Sequence, residues 1–323
     1  MTSPSSIDKP SAAHAVPASL SVIVPATNRP ETLARCLAAI EHAAAGPEQV
    51  IVVEDSAIRH PALARNAGAR DATGNVLVFV DADVTVHPDA FQRIRAAFEA
   101  DPDLVALFGS YDDAPAALGS VSVFRNLLHH HVHQAGAGPA STFWAGLGAM
   151  RRDAFEALDG FAQHPTEDIE IGIRLSKAGK RIVLDPRLQG THLKDWSIYS
   201  MVRTDLFVRG IPWVGLLLEN RGSASVSTLN LHWRHRLSAL ACVALLAAVA
   251  LWSIWIALAA LVLLVALNFS FYRLLARRQG FPRVIGGVAL HVLHHLVSVA
   301  AVLLGVVAHV SRRRTAQRPA QGA

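Results

Sequence analysis

The chain has 323 residues, with 52% hydrophobic and 17% charged residues and a formal charge of +5, enough for one sizeable domain plus a smaller part. No Asp, Glu, Lys or Arg occurs from Leu237 to Tyr272 or from Val284 to Val310, and a helix needs roughly 20 such residues to cross hydrocarbon. Many of the basic residues flank these runs (Arg234, Arg236, Arg273, Arg277, Arg278, Arg283, Arg312, Arg313 and Arg314), so the positive charge reads as a membrane pattern and not as a nucleic-acid surface.

Residues 1–19 are rich in Ser, Pro and Ala, lack an apolar signal core, and read as a disordered leader. Ser21-Val22-Ile23-Val24-Pro25 is a β-branched run stopped by Pro, which predicts a buried strand. Glu31 to Ala45 carries Leu33, Leu37 and Ile40 at helical spacing. Gln49 to Val53 predicts a second strand, with Glu54 and Asp55 at its C-terminal end. Leu63 to Asp71 suits a helix. Val76 to Val80 predicts a third strand, ending in Asp81-Ala82-Asp83, and Pro88 to Ala100 a helix with Pro near its start.

This alternation predicts an α/β fold with a parallel sheet and helices on both faces. Ligands bind such sheets outside the carboxyl ends of the strands, where both acidic clusters fall.

Leu104 to Phe108 is a further strand, Ser122 to Gln134 a helix bearing His129, His130, His131 and His133, and Phe143 to Met150 a small apolar segment. On a helix only His129 or His130 shares a face with His133, so this stretch reads as an interfacial or acceptor-contacting helix rather than a metal site. Asp168 to Ala178 is a helix with Thr166 as a natural N-cap, and Arg181 to Leu184 a late strand.

Trp196 to Leu218 mixes aromatic and apolar residues with Arg203 and Arg209, as a helix in the membrane interface would, with a break near Pro212. One helix over Leu237 to Tyr272 would be roughly 54 Å long, against about 30 Å of hydrocarbon. Two short spans with a turn near Trp252-Ser253-Ile254-Trp255 fit better, though neither Gly nor Pro marks it. Three spans would place Arg312 to Arg314 away from the cytosol, against the usual charge bias. That leaves a re-entrant last segment, or a single tilted span over Leu237 to Tyr272. His291, His294 and His295 share one face and suit headgroup contacts or interhelix hydrogen bonds. Cys36 and Cys242 lie in different parts of the chain, so no disulfide framework is expected.

Asp81 and Asp83, two apart at a strand end, can share one divalent cation. Mg²⁺ or Mn²⁺ suits these oxygen ligands and would bridge them to a diphosphate.

Ser21 to Pro25 with Asn28, Val52-Val53-Glu54-Asp55-Ser56, Ala64-Arg65-Asn66-Ala67-Gly68 and Phe79 to Asp83 together resemble the family 2 inverting glycosyltransferases of the GT-A fold. Phe143-Trp144-Ala145-Gly146 to Arg152, Gly160-Phe161 and Thr166-Glu167-Asp168 continue the resemblance in order, over roughly residues 20 to 215. It implies a nucleotide-sugar donor (UDP- or GDP-linked), with Pro25, Thr27, Asn28, Glu54 and Asp55 around base and ribose. Arg65 and Asn66 would line the nucleotide pocket. Asp83 would bind the metal, with Asp81 beside it and His192 as a further ligand. Asp168 would be the general base that inversion requires. Glu167 beside it binds acceptor or holds the helix start.

Processive members carry Gln-x-x-Arg-Trp after the base. Here Phe207 to Trp213 has Arg and Trp at the wrong spacing, which points to single sugar transfer. The link from Ser56 to Arg65 is also shorter than in many relatives.

The expected organisation is a GT-A domain over 20–195, interfacial helices over 196–230, two to three membrane helices over 231–310 and a basic tail over 311–323. The catalytic domain would be cytosolic, on the inner membrane, with a lipid or lipid-linked acceptor. A polyprenyl phosphate transferase, a processive polysaccharide synthase and a non-catalytic membrane nucleotide-binding module are the rival readings.

Overall fold

The computed structural model describes residues 17–28, 30–221 and 233–316, the last three without their side chains. Most of the predicted leader and part of the basic tail lie outside the described residues.

The first half alternates as expected: β1 (Leu20–Pro25), α1 (Leu33–Glu41), β2 (Gln49–Val53), α2 (Pro61–Asp71), β3 (Val76–Val80), β4 (Val84–Val86), α3 (Ala90–Ala100) and β5 (Leu104–Tyr111). β3 is buried along its whole length, as an uninterrupted apolar strand at the centre of a sheet should be. α2 begins at a proline, and His60 caps it by accepting from the Ala62 amide at 3.2 Å.

Then come α4 (Ser120–Ala135), β6 (Gly138–Ala140), β7 (Leu147–Arg151), α5 (Arg152–Ala157), α6 (Glu167–Lys177) and β8 (Arg181–His192). The strand order is β2-β1-β3-β7-β5-β8-β4, with β6 also on β8.

The sheet is mixed, not parallel throughout. β1 runs parallel to β2 and β3, but β7 is antiparallel to both β3 and β5. β7 comes from the glycine-containing stretch that read only as small and apolar. A Cβ on Gly148 would lie 2.4 Å from the Trp144 carbonyl oxygen and 2.5 Å from the Phe143 ring, so only glycine lets the strand pass beneath those residues. β8 is three times the expected length, and its added end pairs antiparallel with β4 through Val84↔His192 and Val86↔Gly190. This pairing brings His192 beside Asp83.

One face of the sheet packs on α1 and α3 through Cys36, Ile40, Phe91 and Ile94. The other packs on α2, α5 and α6 through Ala62, Phe155, Ile171 and Leu175.

The C-terminal part is helical: α7 (Ile198–Arg203), a π-helical segment (Thr204–Gly210), α8 (Ile211–Glu219), α9 (Trp233–Ala250), α10 (Ile254–Leu267), α11 (Phe269–Gln279) and α12 (Phe281–Ala316). The predicted break near Pro212 is instead a widened π turn just before it. Pro212 sits in the first turn of α8; it has no N–H to give the preceding turn, so the helix widens rather than stops.

α9 and α12 are each long and apolar enough to cross a membrane, while α10 and α11 form a pair bent by 76°. Asn268 sits at that bend, donating to Ser238 Oγ at 2.8 Å and to the Leu264 carbonyl at 2.9 Å. Between α9 and α10 the chain turns at Trp252, with φ of 52°. An aromatic residue there replaces the glycine that usually marks such a turn. Trp252 and Trp255 are 95% and 79% exposed, and tryptophans of this kind gather at membrane–water boundaries.

α4 joins the two parts: its Val123, Phe124 and Leu127 pack with Trp196, Met201, Phe271, Tyr272 and Leu275. The α12 histidines do make interhelix hydrogen bonds: Tyr272 Oη meets His291 Nδ1 at 2.9 Å, and His294 Nδ1 meets Asp205 Oδ2 at 3.1 Å. Cys36 and Cys242 are free and buried.

Candidate functional site

The carboxyl ends of β1, β2 and β3 form one edge. The Ala26 amide donates to the Val53 carbonyl at 2.9 Å, which sets the loop carrying Pro25, Thr27 and Asn28 beside Glu54 and Asp55. Asn28, Glu54 and Asp55 are exposed there, open to a ligand laid across the edge.

Asp81 and Asp83 follow β3. Their backbone is fixed from several sides: Thr32 Oγ1 donates to the Ala82 carbonyl at 2.8 Å, Asp81 N to the Gly146 carbonyl at 3.1 Å, and Leu193 N to the Asp83 carbonyl at 2.8 Å. The two carboxylates then part company. Asp83 Oδ2 lies 3.6 Å from His192 Nε2, and Asp81 Oδ1 lies 2.7 Å from Arg65 Nη2.

Arg65 is 5% exposed. Its second terminal nitrogen, Nη1, donates to Glu167 Oε1 at 2.6 Å. Burial opposes its charge, but Asp81 and Glu167 outweigh burial and hold the guanidinium protonated. Its Nε is buried without a partner. The arginine expected to line the nucleotide pocket therefore bridges the strand-end acid to the start of α6.

α6 carries Glu167, Asp168 and Glu170 in its first turn and Arg174 and Lys177 in its last, the arrangement the helix dipole favours. Thr166 occupies the N-cap position but does not cap the helix; its Oγ1 lies 2.9 Å from His164 Nδ1 instead. Asp168 Oδ1 accepts from the Ile169 amide at 2.8 Å. Burial and Glu167 push the Asp168 carboxyl above the ordinary range, while Arg209 and Arg65 pull it back. A raised carboxylate is a stronger proton acceptor, which suits a base.

Burial raises Asp81, Arg65 opposes it, and Asp83 adds to the rise. For Asp83 burial is overcome by His192 and Lys194, which hold its carboxyl below the ordinary range. Among the described residues no three His, Cys, Asp or Glu already converge as a metal cage. Asp83 and His192 are an adjacent carboxylate–imidazole pair, a donor set that fits Mn²⁺ well and Mg²⁺ less well.

Asn66 points away from the carboxylates. Its Nδ2 donates to the Phe161 carbonyl at 2.8 Å and its Oδ1 accepts from the Phe161 amide at 2.9 Å. It pins the Gly160–Phe161 turn to α2. Lys194 Nζ lies 4.3 Å over the Trp196 ring, which Arg125 also faces at 4.4 Å.

Tyr111, which no motif in the sequence marks, stands behind His192. Tyr111 stacks on His192 at 4.1 Å and meets Trp144 edge-on at 4.9 Å. The predicted strand ended at Phe108. The strand in fact runs on through Gly109 and Ser110 and ends at Tyr111.

Residues 58–159 match the family model described as Glycosyl transferase family 2. The match spans α2 to the turn after α5, and includes Arg65, Asp81 and Asp83 but not Asp168 or His192. No curated protein matches the chain.

Among solved structures, it resembles the mannosyltransferase PcManGT from Pyrobaculum calidifontis in complex with GDP-Man and Mn²⁺. That likeness has 17% identity and a TM-score of 0.52, over 92% of this chain and 88% of that one. GalNAc-T7 with UDP, GalNAc and Mn²⁺ is similar at 14% identity and TM-score 0.42, over 62% of this chain and 48% of that one. A mycobacterial protein is similar at 15% and 0.43, over 62% and 74%. Only the first of these overlaps well enough to carry an argument, and what it carries is the fold. The family segment, set in this GT-A-type fold, supports a glycosyltransferase.

Proposed function

We propose that this chain is an inverting, non-processive glycosyltransferase that moves one sugar from a UDP- or GDP-sugar to a hydroxyl of a lipid or lipid-linked acceptor at the inner membrane face. The observation that carries this reading is the forked contact of Arg65, to Asp81 on one side and to Glu167 on the other. It ties Asp81, at the end of β3, to the start of α6, which carries Asp168.

In this reading the acceptor oxygen attacks the anomeric carbon as the bond to the diphosphate breaks, and Asp168 takes the hydroxyl proton. Asp83 and His192, with Asp81 beside them, would hold Mn²⁺ or Mg²⁺, whose charge offsets that developing on the departing diphosphate. Asn28, Glu54 and Asp55 would contact the base and ribose. Glu167 holds Arg65 rather than touching substrate, and Asn66 holds the Gly160–Phe161 turn against α2.

The membrane reading is supported by the length and apolarity of α9 and α12, and by large apolar side chains they leave uncovered, including Leu240 and Leu303 at 64% and 63%. Asp205 adds to it: the carboxylate takes Arg125 of α4 at 2.5 Å and His294 of α12 at 3.1 Å, tying the catalytic unit to a candidate span. The catalytic unit would be residues 20–195, the interfacial helices 196–230 and the membrane part 231–310. The test is a screen of radiolabelled GDP- and UDP-sugars with total membrane lipid or soluble sugars as acceptor, and Mn²⁺ or Mg²⁺. Label should enter the organic phase with inverted configuration. Label found only on soluble acceptors contradicts the lipid reading.

A further inference from the structure

Behind Asp83 and His192 stands a column of rings that the proposed reaction does not use. His192 and Tyr111 stack with centroids 4.1 Å apart and planes 15° apart. His129 follows at 4.3 Å from Tyr111, and His133 at 3.9 Å from His129. The end of the column is anchored, since His133 Nδ1 lies 2.9 Å from the Gly109 carbonyl oxygen of β5. Trp144 closes its flank, 4.7 Å from His129.

The register explains the stack. β5 and β8 run parallel with Tyr111 opposite Gly190. Residues two apart on a strand share a face, so His192 projects beside Tyr111 with only the glycine between them. A Cβ at Gly190 would strike Val84 at 2.7 Å and the Thr85 carbonyl oxygen at 3.1 Å. The position is closed to larger residues, and Tyr111, opposite it in the register, stacks on His192.

A metal-binding imidazole must be held in one orientation, and its outer partners are usually hydrogen-bond acceptors. Here a ring face does this. Rotation of the His192 ring about its Cβ–Cγ bond would break a near-parallel stack.

We propose that Tyr111 is a positioning residue that aims the His192 imidazole at the divalent cation. The proposal rests on the reading of Asp83 and His192 as ligands. It assigns Tyr111 no contact with substrate, and it requires the aromatic ring rather than the hydroxyl.

The test uses the full chain in detergent, loaded with Mn²⁺ and GDP, or UDP in a parallel sample. Electron spin echo of bound Mn²⁺ reads directly bound imidazole as a nitrogen modulation, and the free Mn²⁺ signal reads affinity. Tyr111→Phe should retain both. Tyr111→Leu should lose most of the modulation and weaken Mn²⁺ binding by roughly 10-fold, as loss of an outer partner does. His192→Ala should abolish the modulation, and adding Tyr111→Leu to it should cost nothing more, because the ring acts through the imidazole. Should Tyr111→Leu fail to fold by circular dichroism, Tyr111→Met reads the same quantities without a ring.

Wild-type modulation and affinity in the ring-less variant overturn the proposal. So does a further loss in the double variant, or a wild-type protein with no nitrogen modulation. Asp83→Ala with unchanged Mn²⁺ affinity is a separate failure, that of the metal-site reading itself.

Discussion

Arg65 Nη2 lies 2.7 Å from Asp81 Oδ1, and the same guanidinium gives its other arm to Glu167 at 2.6 Å. A planar fork can satisfy two carboxylates held apart in this way; an ammonium is a single point charge and cannot. Arg65→Lys should therefore keep one partner and release the other, cutting turnover by at least about 10-fold while the fold survives. Arg65→Leu leaves the buried Glu167 and the partly exposed Asp81 uncompensated and should destabilise by about 3 kcal/mol. Denaturant unfolding beside nucleoside diphosphate release separates the two effects.

Asp168→Asn keeps the shape of the α6 start and removes the base. Turnover should fall roughly 10²–10⁴-fold, with Mn²⁺ and nucleoside diphosphate affinities unchanged in equilibrium binding. An acceptor that is already an anion, such as a polyprenyl phosphate, needs no base. A mild effect of Asp168→Asn would therefore move the acceptor from hydroxyl to phosphate.

Gly160 has φ of +69°, and a Cβ there would come within 2.6 Å of Asn66 Oδ1. Gly160→Ala meets both backbone strain and the loss of the Asn66 bridge to Phe161. It should destabilise by about 1–3 kcal/mol, seen as a lower midpoint in thermal unfolding. Asn66→Ala should lose stability without changing donor affinity, because its side chain is spent on the bridge to Phe161.

Asp205 gives a pH signature. Burial opposes its charge, but His294 and Arg125 hold its carboxyl down at about 2. A carboxylate depressed in the folded state stabilises above its unfolded value and loses that stabilisation as pH falls through its folded value. Wild type should exceed Asp205→Asn in stability by about 2 kcal/mol at neutral pH, the gap closing between about pH 4 and about pH 2. Unfolding curves of both proteins across that range check the sign. A gap that widens toward acid contradicts it.

The sequence showed the strand-end acids because a buried parallel strand has a local signature: Val76 to Val80 is apolar throughout and stops at Asp81. It also showed the long uncharged helices, because length and composition alone decide them. It did not show β7 as a sheet strand. Its antiparallel place between β3 and β5 is fixed by long-range pairing and by the space Gly148 leaves beneath Phe143 and Trp144, neither of which leaves a periodic trace. The partners of Arg65 were hidden for a related reason: Glu167 lies 102 residues later in the chain, and only the tertiary fold brings it to the guanidinium. Tyr111 was hidden by three residues of strand beyond the apolar run.

Metal-assisted sugar transfer at Asp83, with Asp168 as base, is read by nucleoside diphosphate release from GDP- and UDP-sugars, with membrane lipid and Mn²⁺, by wild type, Asp83→Ala and Asp168→Asn. Release by wild type should require both lipid and Mn²⁺, fall to background in Asp83→Ala and fall by about 10²-fold or more in Asp168→Asn. No release by wild type from any donor, or undiminished release by Asp83→Ala, would contradict it.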